Sequence, residues 1–194
     1  SEALAVSNLF LRPGTEIAQL RQRGLSAQTY RARVSPLVPN EPVVLLVDHY
    51  TASASEIVAG ALQDHDRAVI VGETTYGKGV VQSLFDLSNG YALKLTTGRW
   101  YTPSGRSIQR ARTFDGAPDT AVDPLADTLA AAHRPVFRSD AGRKVLGGGG
   151  IAPDVEVASD TLTTAERKLA RAFAPKAAET RTAVFDVAHE LRAQ

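Results

Sequence analysis

The chain has 194 residues, 43% hydrophobic and 22% charged, a globular composition with material for a core that excludes wholesale disorder. Lysine and arginine number 22 against 21 acids, and the net charge of +1 argues against nucleic acid or an anionic membrane as main partner. No apolar run reaches the ~18 residues of a membrane span, and the lack of cysteine excludes disulfides, thiolate metal sites and a cysteine nucleophile. Methionine is also absent, even at the start, from which we expect a processed piece of a longer product.

In chain order, apolar residues at 3, 4, 6, 9 and 10 predict a short amphipathic helix that Pro13-Gly14 stops. Residues 15–35 alternate weakly and predict a charged edge strand near Tyr30–Val34, before a loop marked by Pro36, Pro39 and Pro42. Val43–Val47 and Arg67–Val71 read as strands buried on both faces. Between them Ala54–Gln63 has helical apolar spacing, so the pattern predicts a βαβ unit and an α/β fold with a largely parallel sheet. Residues 80–101 predict two strands joined at Asn89-Gly90. The aperiodic stretch 110–135 reads as an insertion with a short helix at Leu125–Ala132. Ile151–Val157 returns to strand-like alternation after four glycines. The tail opens a helix at Thr163-Thr-Ala-Glu166 and suggests another around Val184–Leu191.

Two constellations could carry chemistry. Asp48-His-Tyr-Thr-Ala-Ser53-Ala-Ser-Glu56 stands where a strand meets a helix, so a serine hydroxyl there faces the unsatisfied first amides of that helix. Ser53-Ala-Ser-Glu56 is equally an S-x-x-E capping box, and the two readings stay open at this level. Gly72-Glu-Thr-Thr-Tyr-Gly77-Lys78-Gly79 matches G-x-x-x-x-G-K. However, Gly79 stands where a phosphate loop has a hydroxyl, and a strand, not a helix, is predicted to follow. A catalytic lysine is the other reading: an ammonium of ordinary pKa, about 10.4, is no base at neutral pH, but desolvation lowers it. Asp48 and His49, as strand neighbours, point to opposite faces and make a poor orienting pair. His65 reads as a solvated turn residue, and the four scattered histidines carry no zinc pattern.

Thr51–Asp64, Arg67–Gln82, Lys94–Gln109 and Gly147–Val155 together closely resemble the carboxyl-terminal processing (tail-specific) proteases, serine peptidases with a Ser–Lys dyad. The likeness is dense over about 43–109 and weak in 110–135 and after 160. It implies Ser53 as nucleophile, Lys78 held neutral by burial as general base, Gln82 positioning the lysine, and the Ala54 backbone N–H as an oxyanion donor. It further implies a crotonase-like α/β core over residues 1–160, interrupted by an insertion at about 110–135, with a helical segment over 161–194. No cofactor and no metal are implied.

The family places a PDZ domain and a D-L-R-x-N-x-G-G-like segment before the stretch matching Ser1–Phe10. The expectation is that these lie outside this chain and that the second oxyanion donor is supplied from there. The implied substrates are proteins or peptides with apolar C-termini, in the bacterial cell envelope, with a homo-oligomer or regulatory adaptor as further partner. Two alternatives are carried: a non-catalytic peptide-binding or scaffold module, and an acyl-CoA enzyme on the related fold.

Overall fold

The computed structural model describes residues 2–111, 133–157, 164–176, 179 and 182. The chain divides into two compact units, 1–158 and 159–194. The first opens with helix α1 (Glu2–Asn8), followed by strands β1 (Glu16–Gln22) and β2 (Gln28–Arg31) where one edge strand was expected. Strand β3 (Val44–Val47), helix α2 (Ala54–Asp64) and strand β4 (Val69–Gly72) form the predicted βαβ unit, with β3 and β4 parallel. Strands β5 (Val80–Asp86) and β6 (Ala92–Tyr101) make the hairpin turned at Ser88–Gly90. A small hairpin, β7 (Val136–Arg138) and β8 (Lys144–Leu146), was not foreseen, and β9 (Val155–Glu156) completes the unit. In the second unit helix α3 (Thr164–Phe173) runs into a 3-10 turn at Ala174–Lys176. The expected helices at 125–132 and 184–191 lie outside the described residues.

The expected largely parallel sheet is corrected. Strands pair as an antiparallel sheet of order β2-β1-β6-β5 and a three-stranded parallel sheet of order β3-β4-β9. A two-residue-type turn such as Asn89-Gly90 can join only antiparallel neighbours, and β6 then recruits β1 on its other side. The strands read as buried on both faces are also corrected. Val43, Leu45 and Val47 turn into the core, while Val44 and Leu46 are 60% and 76% exposed, as is Val69 in part. A continuous apolar run specifies that one face is buried but does not specify whether anything covers the other.

Helix α2 is buried on nearly every side. Ala59, Gly60 and Ala61 let neighbours approach closely: a Cβ on Gly60 would stand 2.6 Å from Thr102 Cγ2. Three polar residues of this helix, Glu56, Gln63 and Asp64, are buried as well. Asp64 forms an ion pair at 2.7 Å with Arg106, which is fully buried and also donates to Gln63 Oε1 (2.7 Å) and the Leu146 carbonyl (2.9 Å). Burial lowers the pKa of the Arg106 guanidinium, while the Asp64 carboxylate opposes that fall. Gln63 donates to the Ala152 carbonyl and Asp154, and Arg143 bridges Asp66 and Asp154. The C-terminal end of α2 is thereby bound to β8 and to the segment leading into β9.

Candidate active site

Two loops converge on the head of α2. The first leaves β3 at Asp48, whose Oδ1 accepts the Tyr50 N–H (3.0 Å), the Thr51 N–H (2.9 Å) and the Thr51 hydroxyl (2.9 Å). This Asx-type turn delivers Ser53 to the helix terminus. Ser53 has φ +57° and ψ −113°. A non-glycine residue holds such a conformation at a cost of about 1–3 kcal/mol, and only where its surroundings over-determine it. The second loop leaves β4 through Gly72, whose φ is +128° and where a Cβ would collide with the Val47 carbonyl oxygen. It turns again at Gly77, φ +86°, where a Cβ would press on Arg110 Cβ at 2.7 Å.

Glu56 joins the two loops. Its carboxylate is fully buried and accepts four donors: the Ser53 N–H (2.8 Å), the Gly77 N–H (2.6 Å), the Lys78 N–H (2.8 Å) and the Thr75 hydroxyl (2.5 Å). One oxygen, Oε2, takes both Ser53 and Lys78, so those two backbone nitrogens stand less than two hydrogen-bond lengths apart. Thr75 Oγ1 in turn accepts the Ile151 N–H (2.8 Å), which carries the connection to the end of the four-glycine turn. Further ties are Tyr76 N–H to the Thr51 carbonyl (3.0 Å) and the His49–Glu73 pair (2.9 Å). Arg110 donates from beneath to the carbonyls of Thr75 (3.0 Å) and Gly149 (3.2 Å).

The sequence-predicted site residues stand as follows. Ser53 is half-buried; its side chain stands over the Glu56 N–H in the capping-box arrangement but makes no cap hydrogen bond. The Glu56 N–H bonds the Ser53 carbonyl instead (3.0 Å). Ala54 is exposed, and among the described residues its N–H has no acceptor. The expected burial of Lys78 is corrected: its side chain is exposed and makes no hydrogen bond to Ser53, because flanking Gly77 and Gly79 contribute no side chains to wall it. Gln82 is exposed on β5. The phosphate-loop reading is excluded, since β5 and not a helix follows Gly79.

His65 is corrected from a solvated residue to a tie, with Nδ1 at 2.7 Å from Asp140 and Nε2 at 2.7 Å from the Glu16 carbonyl. His49 pairs with Glu73 rather than with Ser53. Among the described residues no cluster of three His, Asp or Glu side chains could hold a metal. Beside Ser53 lies an apolar hollow of about 380 Å³ whose lining includes Val6, Leu46, Thr51, Ala54 and Val58.

What sequence reasoning missed is the role of Glu56. It appeared only as the fourth letter of a capping box. The available signal was its place beside Ile57, Ala59 and Gly60 on a helix with an apolar period: a carboxylate that is buried there must find donors.

Comparison with known proteins bears on this arrangement. Residues 1–122 match the family model described as peptidase family S41. The chain is 43% identical over 108 residues to the carboxy-terminal-processing protease of Bartonella bacilliformis, covering 56% of this chain and 25% of that protein. It is 41% identical over 107 residues to the carboxyl-terminal-processing protease of Picosynechococcus, covering 55% and 25%. Among solved structures, the photosystem II D1 C-terminal processing protease is similar at a TM-score of 0.57 and 27% identity, over 84% of this chain and 32% of that one. The chain thus spans about a quarter of the length of the curated relatives it matches.

Proposed function

We propose that this chain, which belongs to peptidase family S41, carries the reacting residues of a serine endopeptidase that uses Ser53 as nucleophile and Lys78 as general base. The carrying observation is the Glu56 carboxylate, which holds the strained Ser53 backbone and the Lys78 backbone on one oxygen. Strain kept in place by buried hydrogen bonds at a helix head is what an exposed, fixed nucleophile requires. The fold it rests on is read as the crotonase-like core.

In the reaction, neutral Lys78 Nζ takes the Ser53 hydroxyl proton as Oγ attacks the peptide carbonyl carbon. The resulting oxyanion is met by the Ala54 N–H, with the α2 dipole behind it. Collapse expels the amine, which takes the proton back from Lys78, and leaves an acyl ester on Ser53. Water, deprotonated by Lys78, attacks the ester and regenerates the hydroxyl. Gln82 presents a carboxamide that can orient the amine without adding charge. A polypeptide lying over Lys78 would exclude water from an amine that is exposed in the free protein. The apolar hollow beside Ser53 supports an apolar substrate residue next to the scissile bond, and with it substrates that have apolar C-termini. The resemblance supports the bacterial cell envelope as the place of work.

The exposed Lys78 amine favours one second reading, a peptide-binding module without catalysis. Ser53→Ala and Lys78→Ala, each assayed in the protein as its own cell makes it, separate the two. Under the peptidase reading each variant abolishes cleavage of an unfolded, apolar-ended substrate. Full activity in either variant overturns the dyad, and a wild-type protein that binds such peptides without cutting them establishes the module.

A further inference from the structure

Strands β1 and β6 lie inside the antiparallel sheet, and their register sets Arg21 directly opposite Arg99. Directly opposed residues share one face with their Cβ atoms about 4.5–5.5 Å apart, and like charges so placed repel. Both arginines are exposed, and among the described residues neither has an acidic partner. Arg21 is nevertheless held in place. Its Nε and Nη2 donate to Gln19 Oε1 (3.2 and 2.9 Å), and its guanidinium carbon lies 4.1 Å from the centre of the Tyr101 ring. Gln19 is itself oriented, since its amide nitrogen donates to Glu16 Oε1 (2.8 Å). Glu16, the one acid of β1, is thus committed to Gln19 and to Arg31 (3.3 Å), and β6 has no acid. Two guanidinium groups so placed, one of them fixed by neutral neighbours, match the paired oxygens of a carboxylate.

The pair stands on the same face of the sheet as Gln82. Val80 is the register partner of Arg99, and Gln82 follows two residues on. The register irregularity at Val81 and Gln82 places its extra residue, Thr97, on β6, so β5 alternates without a break. Lys94, opposite Leu84, adds a further cation to this face. We infer that Arg21 and Arg99 form a carboxylate site that takes an acidic side chain of a polypeptide lying across this face. It would select substrates with an aspartate or glutamate a few residues from the bond that is cut. Strands β6 and β1 lie about 5 and 10 Å from β5, the reach of two or three residues of extended chain. The inference rests on the peptidase reading for calling the polypeptide a substrate. A side chain is favoured over a chain end because terminal carboxylates are gripped by backbone N–H groups, and those of inner strands are spent within the sheet.

The test is calorimetric titration, at low salt, of the Ser53→Ala form of the protein as its own cell makes it. Three acetylated peptides of alanine, valine and leucine differ at one central position and at the end. The first has glutamate and an amidated end, the second glutamine and an amidated end, the third glutamine and a free carboxylate. The glutamate peptide should bind about tenfold or more tighter than either other, and salt should weaken it most. Equal affinity of the two amidated peptides, or no binding by the glutamate peptide, overturns the inference. So does tight binding of the third peptide, which would assign the pair to chain ends.

Arg21→Gln and Arg99→Gln should each reduce the glutamate preference to about twofold or less. Arg99→Gln also removes a like-charge opposition, so its urea midpoint should hold or rise. A preference that survives both substitutions overturns the site, as does a preference lost together with a lowered midpoint, the mark of a structural role. Selective binding without cleavage by the wild-type protein would overturn the peptidase reading alone. Cleavage with no glutamate preference would overturn the carboxylate site alone.

Discussion

The head of α2 and the β5–β6 hairpin are both strand-adjacent, yet they are built on opposite terms. Around Glu56 four donors meet one buried carboxylate, and each loop is tied to the other at several points. Along the hairpin, apolar side chains such as Leu84, Leu93 and Leu95 stand in solvent, and among the described residues no further strand pairs with the outer edge of β5. The contrast separates a frame that fixes positions from a surface that fixes few: buried hydrogen bonds hold backbone atoms in place, whereas an edge strand with exposed side chains commits little.

Substitutions can break or sharpen this contrast, and the largest effects belong to the buried frame. Glu56→Leu leaves three N–H groups and a hydroxyl without their acceptor, the Gly77 N–H and the Thr75 hydroxyl among them being buried; at about 1–3 kcal/mol per unsatisfied donor it should cost at least about 4 kcal/mol. Urea denaturation measures this, and a loss under 1 kcal/mol would show that the carboxylate is not the hub. Next comes Arg106→Leu, which leaves Asp64 as an uncompensated buried charge and should cost about 3–5 kcal/mol. Arg106→Leu combined with Asp64→Leu should recover part of that loss, and a double-mutant cycle reads the coupling.

A smaller effect is expected at Thr75, whose hydroxyl donates to Glu56 and accepts from Ile151. Thr75→Val should cost about 1–3 kcal/mol and Thr75→Ser much less, since only the hydroxyl is required. Asp66 provides a pH-dependent increment. Burial alone would raise its carboxyl, but the Ala141 N–H and Arg143 outweigh that and hold the pKa below the ordinary value. A lowered folded pKa stabilises above the unfolded value of about 3.9 and is lost as pH falls through the folded one. Wild type should therefore exceed Asp66→Asn in melting temperature at pH 6 by an amount that vanishes in acid. An advantage that instead grew on acidification would contradict the sign. Smallest of all, Leu84→Ser on the hairpin should shift stability by no more than about 0.5 kcal/mol, as expected of an exposed position.

Much of this molecule was legible before folding was considered. The βαβ unit over 43–72 followed from two β-branched runs flanking a helical period, and the hairpin at Asn89-Gly90 from its turn residues. Ser53 and Lys78 stood out because one lies at a strand-to-helix junction and the other between glycines, and their loops do meet. His65, by contrast, looked solvated because its neighbours Asp64 and Asp66 are acids. Its actual partners, Asp140 and the Glu16 carbonyl, are 75 and 49 residues away in the chain.

Local order is thus what the amino-acid sequence determined by itself: which runs become strands, where the helix begins, which residues bear chemistry. Tertiary structure alone decided that β3 and β4 keep an exposed face, that Glu56 and not merely a helix cap unites the two loops, and that Lys78 reaches solvent. The reason is one of range. Backbone propensity and periodicity act over a few residues, whereas three of the four donors to the buried Glu56 carboxylate lie 19 to 22 positions away, and their arrival depends on how the whole chain packs.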